Sequence, residues 1–347
     1  MFFILSINPG STSTEVGYFN DETPLWVHRI DHTNQNLPSL LSDQLPFRLK
    51  QINALLKFKS LDSISVRGGL LKPMPGGVYK ISQTLLSDLV DEKYGSHASN
   101  LGAQLGLLIA KDWNVKSFIV DPVSTDDFPD VARVSGVPGI ERKSRSHALN
   151  IKYCYYKTCE KEAIDPKTSR YIICHLGSGV SVAAVVGGKI IDVNDALLGM
   201  GPFSVERAGA LPLAGILSLI YQQKKSQKDL ELYLSTSCGM KGYLGTNNFK
   251  TIEKLISQNA KNSKNIFNAM VYQIVKEIGS CFGVLNGDCN GLILTGGLAN
   301  SLLLLNEIKK KTQFIKPVFE YPGSFELEAL ATSVSRVLKG QELARDY

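Results

Sequence analysis

Apolar and polar positions alternate in blocks from the first residues onward. In "FILSINPGSTSTEVGYF", residues 3 to 19, an apolar run stops at Asn8-Pro9-Gly10, four hydroxyl residues follow (Ser11, Thr12, Ser13, Thr14), and the chain turns apolar again. This pattern predicts two strands joined by a polar turn. "YIICHLGSGVSVAAVVGGKIIDV", residues 171 to 193, repeats it: a strand breaks at Gly177-Ser178-Gly179, a second strand follows, and Gly187-Gly188 turns into a third, Lys189 to Val193. Two such units half a chain apart suggest two similar domains.

Further along, a buried strand at 292 to 294 ends at Thr295-Gly296-Gly297, and a helix is predicted to start near Asn300-Ser301. Apolar side chains at 267, 270, 271, 274, 278, 282 and 285 have the period of a long helix against a core. "SFIVD", residues 117 to 121, reads as a buried strand ending on a carboxylate. Strands alternating with helices give an α/β class. The polar stretch 160 to 170, with Pro166, is the expected linker between a domain at 1–165 and one at 166–325. The segment from Glu326 to Leu338 is expected to form a helix that packs back on the first domain.

Composition narrows the class. A chain of 347 residues with 44% hydrophobic and 20% charged residues can build two globular cores. The net charge of +6 is spread along the chain; Lys309-Lys310-Lys311 ends a helical stretch, where cations suit the helix dipole, so no nucleic-acid partner is expected. Mild basicity suits an anionic substrate. The six cysteines form no CxxC pair and show no metal-ligand spacing, which leads us to expect reduced thiols and a cytoplasmic location. "MFFILSI" is too short for a signal-peptide core and runs straight into Asn-Pro-Gly, and no apolar stretch reaches membrane-spanning length, so no membrane partner is expected.

Glycine and serine turns at strand ends let backbone N–H groups approach an anion while hydroxyls add donors. One such turn is weak support for a phosphate site; three, two of them in a repeated unit, are stronger. The chain has no GxxxxGK[ST], no GxGxxG opening a helix, no protein-kinase catalytic loop, no GxSxG and no HExxH. The paired hairpins resemble the pattern of the actin/hexokinase/Hsp70 superfamily, which has a phosphate hairpin in each of two related domains.

Specific motifs go further. "INPGSTST", "RGGLLKPMPGGVYKI", "HASNLGA", "FIVDPV", "ERKSRSHALN", "HLGSGVSV", "GPFSVERAGALP", "YLGTNN" and "ILTGGLA" occur in order over almost the whole chain. The chain thereby resembles the butyrate kinases, within the acetate kinase family. The resemblance implies two related domains of the actin-like ATPase (ribonuclease H-like) fold around a central nucleotide cleft. It also implies ATP/ADP and Mg²⁺ as cofactors, a short carboxylic acid as substrate, and a homo-oligomer. By the same resemblance Asn8, Ser11, Ser13 and His97 meet the substrate or transferring phosphoryl group. Arg67, Asp121, Lys143, His147 and Arg207 are the catalytic set. His175, Gly177, Ser178, Gly179, Gly296 and Gly297 hold the nucleotide. Asp121 and Glu326, with Glu328 as alternate, lie near the metal. Two departures stand out. Acetate kinases carry His-Gly-Gly with an upstream arginine where this chain has Arg67-Gly68-Gly69, and Lys143 replaces the first of two histidines, His147 matching the second. Rival readings are a kinase for isobutyrate, propionate or acetate, and a non-enzymatic nucleotide switch of the same fold.

Overall fold

The computed structural model describes the chain except for Asn34, Asn36, Ser39, Lys224 and Lys225. It divides into two compact units: Met1–Asp126 with Phe325–Tyr347, and Asp127–Ser324.

The first unit is built on one sheet. Its strands are β1 (Phe3–Pro9), β2 (Ser13–Asn20), β3 (Thr23–Asp31), β4 (Ser63–Arg67), β5 (Val78–Lys80) and β6 (Lys116–Val120). Their order is β3-β2-β1-β4-β6-β5. β1, β2 and β3 form an antiparallel meander, and β1, β4 and β6 run parallel. The helices Leu101–Trp113 and Glu326–Leu338 both pack on β1 and β4. Residues 4 to 9 of β1 are all buried, the signature of a strand covered on both faces rather than one.

The second unit repeats the scheme. Its strands are β7 (Arg170–Leu176), β8 (Val180–Val186), β9 (Lys189–Val193), β10 (Leu292–Gly296) and β11 (Val318–Pro322), in the order β11-β10-β7-β8-β9. Again the first three form an antiparallel meander and the first pairs in parallel with the fourth. The repeat read from the sequence is therefore a repeat of topology: β1–turn–β2 and β7–turn–β8 occupy equivalent places. Gly187 and Gly188 both have positive φ (58° and 75°), as the two-residue turn into β9 requires. The long helix spans Ser263–Val284 and buries Phe267, Met270, Val271, Ile274 and Ile278, on the expected face. Ser301 caps the helix Leu302–Lys311 by accepting from the Leu304 N–H at 3.1 Å.

The expected domain boundary at 165/166 moves to 126/127. The cause is the helix Ala148–Lys161, which packs on β7 and β10 of the second unit and buries Ile151, Cys154 and Tyr155 there. The Tyr155 hydroxyl donates to the Pro166 carbonyl at 2.6 Å and meets the Ser169 hydroxyl at 2.6 Å. Residues 160 to 170 are thus a tied-down helix-to-strand connection, not a linker; such connections share the Pro-rich, charged composition of linkers. Four of the six thiols are buried, and burial pushes the Cys154 thiol up to about 12, so it stays protonated and unreactive. Among the described residues no helix is long and apolar enough to cross a membrane.

Candidate active site

Each unit presents a set of the expected residues at the carboxyl edge of its parallel strands, where α/β folds place ligands. In the first unit the register sets Ile7 beside Val66, and Arg67 beside Val120. Asn8, Arg67 and Asp121 therefore follow one another across the ends of β1, β4 and β6. Arg67 Nη1 donates to Glu326 Oε2 at 2.7 Å and, at 3.5 Å, to Asn8 Oδ1. Asn8 Nδ2 donates to the same Glu326 oxygen at 2.6 Å and to Glu15 Oε2 at 3.0 Å. Glu326 opens the first turn of its helix, where a carboxylate is favoured. It, rather than Glu328, joins Asn8 and Arg67.

Arg67 has a packed support. A Cβ on Gly69 would overlap Asn100, and one on Gly102 would overlap the Arg67 carbonyl, so glycine lets the 98–102 backbone close on the end of β4. Arg67 is anchored by Nη1 alone. Its Nε and Nη2, the edge that can make two parallel bonds to a carboxylate or phosphate, have no partner among the described residues.

His97 precedes the short turn Ala98–Asn100 and accepts at Nδ1 from the Ser99 N–H at 3.2 Å, with the Ser99 hydroxyl also bonded to Nδ1. The neutral ring thus carries its proton on Nε2. Burial, reinforced by the nearby Arg67 charge and opposed by Glu326, lowers its pKa. Asp121 sits in the left-handed region (φ 34°) and is locked by two bonds to Gly77, one from the Gly77 N–H to Oδ1 at 2.8 Å. Of the four turn hydroxyls, those of Ser11 and Thr12 are exposed and Ser13 and Thr14 are buried.

In the second unit, His175, one residue before the end of β7, lies beside Thr295 of β10. Asn150 Nδ2 donates to His175 Nδ1 at 2.9 Å and to the Thr295 hydroxyl at 3.1 Å. Because an amide nitrogen can only donate, His175 carries its proton on Nε2. His147 stacks on His175 with ring centroids 3.9 Å apart, and its Nδ1 lies 2.8 Å from the Ser181 hydroxyl. Sequence reasoning missed Asn150, although His147 and Asn150 stand three apart at a helix start, on one face.

Arg207 lies directly over the Gly177-Ser178-Gly179 turn. A Cβ on Gly179 would overlap its guanidinium. Ser204 fastens this loop to the turn by donating its hydroxyl to the Ser178 carbonyl. Arg207 Nη1 donates to the Ala196 carbonyl, and its Nε and Nη2 have no partner among the described residues. Burial pushes its pKa down, with Glu206 and Asp195 opposing. The Ala196 anchor is itself braced. Arg145 Nε donates to Asp195 Oδ2 at 2.9 Å, Asp195 Oδ1 accepts from Leu197 N at 3.0 Å, and Ala196 N donates to the Arg145 carbonyl at 2.9 Å. Neither Arg145 nor Asp195 was visible as a candidate in the sequence.

Lys143 stands apart: it is exposed and its side chain makes no hydrogen bond or ion pair among the described residues. The two glycines expected beside the adenosine differ. Gly296 (φ 93°) is fixed by packing, since a Cβ would strike the Leu176 backbone, whereas Gly297 is exposed with open space beside it.

Gly179→Ala is expected to push the Arg207 guanidinium aside while leaving the β7–β8 hairpin folded. We expect kcat to fall by about 10- to 100-fold, the usual result of misplacing a group by an ångström, with an unchanged melting temperature. Steady-state kinetics with a thermal melt checks this.

No three His, Cys, Asp or Glu side chains gather into a metal cage among the described residues. Magnesium that travels with a nucleotide needs no such cage, being held by one or two carboxylates, phosphate oxygens and water. Asp121 and Glu326, the two residues expected near the ion, each carry carboxylate oxygens, a donor type that suits it.

Three comparisons bear on identity. The family model described as "Acetokinase family" matches residues 138–314. Over 354 residues the chain is 42% identical to "Probable butyrate kinase 2" of Caldanaerobacter subterraneus subsp. tengcongensis, with 100% of each chain covered. It is 40% identical over 353 residues to "Butyrate kinase 2" of Clostridium acetobutylicum, covering 100% of this chain and 99% of that one. The crystal structure of Porphyromonas gingivalis acetate kinase superposes with a TM-score of 0.79 at 16% identity, over 97% of this chain and 100% of that chain. That likeness shows the fold, two related α/β units of the actin-like ATPase type. With matched relatives spanning it end to end, the chain belongs to the acetokinase family.

Proposed function

We propose that this protein phosphorylates a short-chain carboxylic acid with ATP, butyrate being the preferred acid: butyrate + ATP ⇌ butyryl phosphate + ADP. One observation carries the reading. Arg67, at the end of β4 beside Asn8, and Arg207, over the Gly177-Ser178-Gly179 turn, are both anchored through Nη1 and keep Nε and Nη2 without a protein partner among the described residues. Two anions must meet in this reaction, and two fork-shaped cations offset their repulsion.

A carboxylate oxygen attacks the γ-phosphorus in line. The new O–P bond forms as the bond to the bridging oxygen breaks, and that electron pair leaves with ADP. Arg67, oriented by Glu326 and Asn8, receives the carboxylate. Ser11, Ser13 and the His97 Nε2–H donate to the transferring group, and Arg207 neutralises its equatorial oxygens. His175 Nε2–H and the turn Gly177-Ser178-Gly179 hold the nucleotide phosphates, with Gly296 and Gly297 against the adenosine. Asp121 and Glu326 would hold magnesium, which supplies charge neutralisation on the nucleotide. His147 orients His175 by stacking; Lys143 is left with no role at the reacting atoms. We propose ATP/ADP and a free carboxylate as the ligands.

The preference for butyrate follows the full-length relatives, which are named as butyrate kinases. One methylene is worth only ~1–3 kcal/mol in an apolar pocket, so the acid is settled by kinetics. Trapping acyl phosphate as hydroxamate across acids of two to six carbons should give the highest kcat/KM for butyrate. A higher value for acetate, propionate or isobutyrate would reassign the substrate.

A further inference from the structure

Arg48, on the helix Leu41–Asn53, is completely buried, yet nothing in the reaction outlined above uses it. It has no carboxylate partner among the described residues. All its bonds go to neutral oxygens. Nε and Nη2 donate to Gln44 Oε1 at 3.2 and 2.9 Å, and Nη1 donates to the Ser13 carbonyl at 3.2 Å and the Thr14 hydroxyl at 2.8 Å. Burying an unpaired cation is costly. Burial pushes its pKa down, but a guanidinium stays charged. An apolar side chain would fill the site at less cost.

What Arg48 grips is the first hairpin. The Ser13 carbonyl also accepts from the Gly10 N–H at 2.8 Å, the bond that closes the turn. The Thr14 hydroxyl, which accepts from Arg48 Nη1, also meets His32 Nε2 at 2.9 Å, and the His32 backbone N–H donates to the Thr12 carbonyl at 2.8 Å. Thr12, Ser13 and Thr14 are thus held from behind by Arg48 and His32. The hydroxyl-bearing turn is fixed on one side and backed by a positive charge.

We propose that Arg48 is a positioning residue for phosphoryl transfer. It locks the Gly10–Ser13 turn so that Ser11 and Ser13 meet the transferring group, and it adds an uncompensated positive charge behind them. This rests on the carboxylate-kinase reading.

The test is Arg48→Met in the full chain, with kcat, KM for ATP and KM for butyrate measured beside a thermal melt. We expect kcat to fall ~10- to 100-fold while the KM for ATP moves by less than about twofold, since the other hairpin holds the nucleotide. A merely structural residue would lower the melting temperature without splitting kcat from KM. Thr14→Val removes one side of the grip and keeps the cation; it should lower kcat ~3- to 10-fold and decides the matter if Arg48→Met does not fold. Wild-type kcat in whichever of these variants folds would overturn the role of Arg48. Failure of the wild-type protein to form acyl phosphate would instead overturn the kinase reading.

Discussion

Arg207→Ala is expected to lower kcat by about a thousandfold or more, the range seen when a cation facing a transferring phosphoryl group is removed. The protein should stay folded. The loop around Arg207 is held by bonds that do not involve its guanidinium: Ser204 N to the Arg207 carbonyl at 3.1 Å, Ala208 N to the Leu234 carbonyl at 2.9 Å, and the Ser204 hydroxyl to Ser178. The loss is expected mainly in kcat, because the positive charge counts most when negative charge spreads over the equatorial oxygens. Steady-state kinetics and a melting curve check both halves. Turnover within about tenfold of wild type would remove Arg207 from the chemistry.

Arg67→Lys is expected to be nearly as damaging as Arg67→Ala. A lysine keeps the charge and can still pair with Glu326, but it has no second edge with which to hold a carboxylate through two parallel bonds. We expect the KM for butyrate to rise by about 10- to 100-fold in both variants, with the KM for ATP little changed. The alanine variant should also be less stable by ~1–3 kcal/mol, since Glu326, whose side chain is 13% exposed, loses its cation. A lysine variant with wild-type KM for butyrate would show that charge alone suffices and that the fork is idle.

The fold was readable where side-chain period carried it. Both hairpins, the Gly187-Gly188 turn and the long helix follow from alternation, paired glycines and a 3.6-residue repeat. The boundary was not readable, because what places the helix Ala148–Lys161 in the second unit is contact with β7 and β10, far away in sequence. The site divides in the same way. Asn8, Arg67, Asp121, His175 and Gly179 sit at strand ends or in turns, positions a pattern can mark. Arg48 and the Arg145–Asp195 brace act through contacts across the fold. Arg48 stands in a helix rich in polar residues that no motif marks, and only its burial reveals it. Asn150 was within reach, being three residues after His147 at a helix start. Lys143 shows the converse, since its motif position marked it and its exposure sets it apart from its paired neighbours Arg142 and Arg145.

The central claim is that a carboxylate takes the γ-phosphoryl group of ATP directly. Phosphorus NMR of the purified protein with ATP, magnesium and butyrate tests it most directly. Butyryl phosphate and ADP are expected to appear together in equal amounts, and about a thousandfold more slowly in Arg207→Ala. ADP accompanied only by inorganic phosphate, or ATP left unchanged with every short-chain acid, would contradict it.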